Sequence, residues 1–397
     1  SGPVRQGDSG LDQGAARTVT PTESKPAETG VRGGWRLLAN RLGIDMRPGE
    51  EAPALLLFSC FFLFTTFQYT TKAVRQSAYI DGLGAANLPW VYLTVAICSY
   101  PLLRLYSAFA DRLKQHHLIA ATSALIAGSM VTFWWLFQYS WPWIPFVLYV
   151  WISIVYVMNF SQFWSFSNHL FDPRQAKRLF GFVGAGGLLG GVAGGQVARF
   201  VSGWVDTRTN FLVAAGILLM AGGLILIVER FRPSDAASVA GAMGLKKLDR
   251  VKGGFEALKS SRQLRLIAAI IVLTVVVAQI VDVQFNWVVE ESTSDLEDAT
   301  RFFGNFFSIM GITAFLFQLA FTSRIHRKLG VGVAMRVLPV TMALGSSAVL
   351  GAFYFLPGLL LSSALLVKVG ENGLRYSLEQ STRELLFLPV PSQIRLK

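Results

Sequence analysis

Apolar runs separated by short polar connections recur along the chain from Ala54 onward. A helix needs roughly 20 such residues to cross the hydrocarbon core of a bilayer. By that measure spans fall at 53–80, 88–110, 118–138, 143–167, 178–202, 209–229, 264–289, 300–322, 331–355 and 357–378. The runs are unbroken rather than alternating, so outer-membrane strands of period two are excluded. The pattern predicts an all-α polytopic membrane protein. Ahead of it, residues 1–50 form a polar tail rich in Gly, Pro, Ser and Thr, with no aromatic before Trp35, and are read as disordered. Within the tail Trp35, Leu38 and Leu42 share one helical face beside Arg36 and Arg41, a pattern for a short interfacial helix. The first apolar run starts beyond residue 50 and is long enough to span, so it is not a secretory signal.

Composition agrees: of 397 residues, 52% are hydrophobic and only 15% charged, too apolar for a soluble multidomain surface. The net charge of +12 first suggests a nucleic-acid partner, but its distribution is topological. Arg112 and Lys114, then Arg174, Lys177 and Arg178, then the segment Arg230 to Arg265, then Arg324, Arg327 and Lys328 fall on alternate connections. Such connections lie in the cytoplasm. The opposite ones are short, with Arg208 and Arg301 as basic exceptions, and one is the acidic run Glu290, Glu291, Asp295, Glu297, Asp298. Both termini are therefore placed on the cytoplasmic side. Cys60 and Cys98 lie in apolar runs, while His116, His117, His169 and His326 lie at polar connections. No disulfide framework, metal, haem or other cofactor is expected from that placement.

The basic segment 230–263 divides the chain into a six-span half, 51–229, and a second part, 264–397, with four spans. Two pairs of connections match across the division. Ala110-Asp111-Arg112-Leu113-Lys114 resembles Thr322-Ser323-Arg324-Ile325-His326-Arg327-Lys328, and Asn168 to Arg178 resembles Asn372 to Arg383. Two six-helix repeats about an axis along the membrane normal are the layout of the major facilitator superfamily. The expected architecture is a major-facilitator-like helical bundle with ten of twelve transmembrane helices present, in a fragment of a longer protein.

Ionisable groups inside a membrane are costly and are functional candidates by default. In the first span Gln68, Lys72, Arg75 and Tyr79 share one helical face, and in the seventh Gln279, Asp282, Asn286 and Glu290 form a matching stripe. The stripes either line a cavity or carry Lys72 and Arg75 to the outer interface. The tenth span holds Lys368, Glu371, Asn372 and Arg375, with Lys368 near mid-membrane. Glu371 and Arg375 are spaced for an i, i+4 ion pair of their own. In the fourth span Asn159, Gln162 and Phe166, with Trp164 and Tyr156 nearby, offer a polar and aromatic face. That face suits either stacking on a substrate ring or packing between helices. Lys72, Arg75, Lys368 and Arg375 outnumber Asp282 and Glu371, so an anion is the natural occupant. The glycine run Gly184 to Gly195 has no preceding strand, as a phosphate loop would need, and instead reads as two GxxxGxxxG ridges for close helix packing.

Phe163-Trp164-Ser165-Phe166-Ser167-Asn168, with Ala176-Lys177-Arg178-Leu179-Phe180-Gly181, resembles the fourth-span signature of the nucleotide transporter family of ATP/ADP translocases. Arg375-Tyr376-Ser377-Leu378, with Arg383 to Pro389, resembles that family's tenth-span signature. The resemblance implies NTP/NDP exchange, with Lys72 matching a first-span lysine and Asp282 standing where a seventh-span Glu is usual. It differs in reading Ala73-Val74-Arg75-Gln76 after Lys72, where exchangers of energy parasites carry an acidic residue. The expected partners are a small anionic substrate, a nucleotide by resemblance, and the lipid bilayer, around a monomer. A proton-coupled carrier of another organic anion and a non-transporting membrane scaffold are the rival readings; an enzyme is not expected.

Overall fold

The computed structural model describes residues 50–110, 114–139, 141–171, 173–231, 262–317 and 340–374. The tail, most of the basic segment, the connection holding Arg324, and everything after residue 374, Arg375 included, lie outside the described residues.

Ten helices occupy the described stretches: α1 Glu51–Leu83, α2 Leu88–Ala110, α3 Gln115–Leu136, α4 Ile144–Leu170, α5 Pro173–Trp204, α6 Thr209–Val228, α7 Arg262–Ser292, α8 Leu296–Phe317, α9 Val340–Phe355 and α10 Leu360–Leu374. Six of them contain stretches long and apolar enough to cross a membrane by length and composition, on α1, α3, α4, α5, α6 and α7. At 33 residues α1 is roughly 50 Å long, well beyond a hydrocarbon core.

Two apolar clusters hold the bundle together. One joins α1, α3, α4, α5 and α6 through side chains such as Phe61, Phe64, Ile126, Phe163, Phe211 and Leu218. The other joins α1, α2, α4, α7, α8 and α10 through Tyr79, Leu88, Tyr149, Phe285, Phe303 and Phe307. The long helix α1 contributes to both, with buried apolar side chains on more than one of its faces.

The glycine ridges of α5 set how near it comes to its neighbours. A Cβ on Gly186 would lie 2.6 Å from the carbonyl oxygen of Phe58 in α1, so only hydrogen fits there. On its other side α5 meets α8, where a Cβ on Gly304 would lie 2.9 Å from the amide nitrogen of Arg199. Ser308 of α8 donates to the carbonyl of Val192 at 2.9 Å, adding a polar tie to the apolar contact. This is packing by backbone approach, as the GxxxG spacing predicts.

α1 ends at Gly84, whose φ of +78° is the one positive value among the described residues. That conformation turns the chain so that the Ala85 amide donates to Glu290 Oε2 of α7 at 2.7 Å. Between α5 and α6, Asp206 accepts the amide of Arg208 at 2.9 Å and pairs with its guanidinium. The hydrogen-bonded guanidinium holds the Asp206 carboxyl below the usual carboxylate range.

Candidate functional site

Side chains of α1, α2, α4, α7, α8 and α10 surround a cavity of about 320 Å³. Each helix contributes the face that its spacing selects. From α1 come Gln68, Lys72, Arg75 and Gln76, from α7 Gln279, Asp282 and Phe285, and from α10 Lys368 and Glu371. α4 contributes Tyr149, Ile152, Ser153 and Tyr156, an i, i+3, i+4, i+7 set.

The three cations stand in different states. Lys368 is tied twice, its Nζ 2.9 Å from Asp282 Oδ1 and 2.9 Å from Glu371 Oε2. Asp282 also accepts a hydrogen bond from the hydroxyl of Tyr92 on α2. Arg75 donates to Ser153 Oγ at 2.8 Å and lies 4.1 Å from the ring centre of Tyr149, while its Nε has no hydrogen-bond partner among the described residues. Lys72 touches only ring faces among the described residues, with Nζ 4.4 Å from the centre of Phe307 and 5.6 Å from that of Tyr69. An ammonium held by cation–π contact keeps its three N–H donors available to an anion. Among the described lining residues, three cations against two carboxylates leave the cavity net positive, and the positive charge not already paired sits on α1.

One end of the cavity is closed. Beyond Arg75, Gln76 Nε2 donates to Asn286 Oδ1 at 2.5 Å, and Ser77 and Thr300 hydroxyls share a hydrogen bond. Further along, the Ala85–Glu290 hydrogen bond described above holds the chain just after α1 to α7.

Of the residues predicted from sequence, Gln68, Lys72, Arg75, Asp282, Lys368 and Glu371 come together on the cavity wall. Others do not. Asn286 is fully buried in the closure, bonded to Gln76 and to the Asp282 carbonyl. Tyr79 lies beyond the closed end, where its hydroxyl donates to the Asn87 carbonyl at 2.9 Å. Asn159 and Gln162 are buried away from the cavity, and Gln162 accepts a hydrogen bond from Thr122 of α3. Trp164 packs edge-on against Phe61, Phe163 and Phe180, and Phe166 is buried in the first apolar cluster, so neither ring lines the cavity. Arg375 lies outside the described residues.

Sequence reasoning missed Gln76, Tyr92, Tyr149, Ser153 and the α8 rings Phe303, Phe306 and Phe307. The α8 rings carried a signal: Phe302, Phe303, Phe306 and Phe307 recur at helical spacing beside Gly304, marking a face that packs closely.

A membrane-spanning helical bundle with a net positive, partly aromatic central cavity defines a polytopic transporter. Its fold is shared with the crystal structure of a mutant of the nucleoside transporter NupG, with a TM-score of 0.59 at 17% identity, over 87% of this chain and 89% of that one. Residues 91–397 match the TLC ATP/ADP transporter family, and the chain belongs to that family. It is 25% identical over 383 residues to ADP,ATP carrier protein 3 of Rickettsia conorii, covering 86% of this chain and 74% of that protein. To the chloroplastic ADP,ATP carrier protein 2 of Arabidopsis thaliana it is 24% identical over 264 residues, 59% of this chain and 42% of that one. The chain is a membrane transporter and not an enzyme.

Proposed function

We propose that the protein exchanges nucleoside triphosphate for nucleoside diphosphate, or a related phosphorylated anion, across a bacterial inner membrane. The observation that carries this reading is Lys72, an ammonium resting on the rings of Phe307 and Tyr69 with its donors uncommitted, one turn from Arg75. Family membership and the names of the relatives supply the class of anion. Lys72 and Arg75 receive phosphate oxygens. Lys368, shared between Asp282 and Glu371, exchanges carboxylate partners for phosphate as substrate arrives.

In this proposal residues 51–229 and 264–397 are two halves that rock about the α5–α8 contact, joined by the linker 230–263. The basic connections face the cytoplasm, so the end closed by Gln76 and Asn286 faces the opposite side. The transporter works as a monomer.

The test is uptake of labelled ATP by proteoliposomes preloaded with ADP or left empty. Uptake is expected only with internal ADP, and Lys72→Ala should lower it at least tenfold while the protein remains folded. Equal uptake into empty vesicles would contradict exchange, and no uptake in either case would contradict the nucleotide reading.

A further inference from the structure

The cavity is graded along its length. α1 and α7 are in register where Gln76 bonds to Asn286 at the closed end. Counting back from that pair, Lys72 and Asp282 come after four residues and Gln68 and Gln279 after seven or eight, so the two glutamines lie roughly 5 Å farther from the closed end. On α1 and α7 charge therefore lies nearer the closure and the next level carries amides, while Glu371 of α10 is tied to Lys368 at 2.9 Å.

Both glutamines line the cavity. Gln279 is exposed to it and makes no hydrogen bond among the described residues. Gln68 is buried, and its Nε2 donates to the Tyr156 carbonyl at 3.4 Å, which fixes the amide and leaves Oε1 as an acceptor. Rings of Tyr69, Tyr156 and Phe307 stand among them. A carboxamide offers a donor and an acceptor side by side, complementary to adenine, whose N6 amino group donates beside the acceptor N7. The corresponding face of guanine shows two acceptors and suits an amide less well. Flat aromatic walls accept any base by stacking and so leave discrimination to the amide. A nucleotide whose phosphates occupy the Lys72 and Arg75 level would extend its base toward the glutamines.

We propose that Gln279, at the level of Gln68, is the residue that selects the nucleobase, reading the donor–acceptor edge of adenine. This rests on the nucleotide-exchange reading above. It adds that the phosphates point to the closed end and that base choice is made on α7.

Base preference tests it, measured as the ratio of unlabelled ATP to unlabelled GTP needed to halve uptake of labelled ATP into ADP-loaded proteoliposomes. The wild-type protein should favour ATP. Gln279→Leu should reduce the preference at least about fivefold, the lower end of what one two-point amide contact to a base contributes. Gln279→Glu should move it toward GTP, because a carboxylate accepts from the N1 and N2 hydrogens of guanine. A change that merely disturbed folding would lower uptake for both nucleotides and leave the ratio alone. An unchanged ratio in both variants, or a wild-type protein that exchanges ATP and GTP alike, would overturn the assignment and leave nucleotide exchange standing. A wild-type protein that exchanges no nucleotide would overturn both.

Discussion

Lys368 is the residue on which the site's electrostatics turn. With its Nζ at 2.9 Å from two carboxylates, it is neutralised inside a low-dielectric space, and removing it takes from Asp282 and Glu371 the cation they share. Breaking a buried ion pair by deleting one partner typically costs about 3–5 kcal/mol, whereas removing both partners can cost little. Lys368→Met should therefore lower thermal stability in detergent clearly, and Lys368→Met combined with Asp282→Asn should recover much of that loss without restoring exchange. Additive losses in this double-mutant cycle would show that the two residues do not act as a pair. Lys368 and Asp282 were legible in the sequence because a charge at mid-membrane depth has few explanations. Asn286 and Tyr79 were not. Helical spacing gave the face of α1 and α7 correctly, but the depth at which the two helices meet depends on both at once, and past Gln76 that face meets protein instead of open space. On α4 the cavity face runs through Tyr149, Ile152, Ser153 and Tyr156, and Asn159 falls about 70° to one side of its centre, a rotation hidden by aromatic residues all around the helix.

At the scale of elements, the ten helices follow from apolar run length, and the close approach of α5 follows from its glycines. That approach gives a paired prediction. Gly186→Ala puts a methyl group 2.6 Å from the Phe58 carbonyl oxygen, a backbone atom that cannot swing aside, and should destabilise the protein by about 1–3 kcal/mol. Gly184→Ala, two residues away with nothing within 4 Å of the added carbon, should leave stability unchanged or raise it slightly through helix propensity. Thermal unfolding of the two variants side by side measures the difference. Equal midpoints would contradict the packing described for α1 and α5. Which neighbour each ridge would meet could not be read from the sequence: the same glycine spacing serves α1 on one side and α8 on the other.

For the whole molecule, exchange requires that the closed end open. Ser77 of α1 and Thr300 of α8 meet there. In a Ser77→Cys, Thr300→Cys double variant, oxidation should abolish nucleotide exchange and reduction should restore it, with little change when either cysteine is present alone. Exchange that persists through complete cross-linking would mean that this contact never separates during transport. The glycine contacts also fix the size of the movement. The α5 ridge bears on α1 as far along as Tyr69 and Thr70, the latter six residues before Gln76. A rigid lever of that length, roughly 9 Å, shifts its tip by about 1 Å for a tilt of only about 6°, and 1 Å is enough to carry the 2.5 Å Gln76–Asn286 hydrogen bond to its limit. A small angular error at the fulcrum is therefore enlarged at the gate, so bulk added to the ridge should alter the rate of opening even in variants that remain folded.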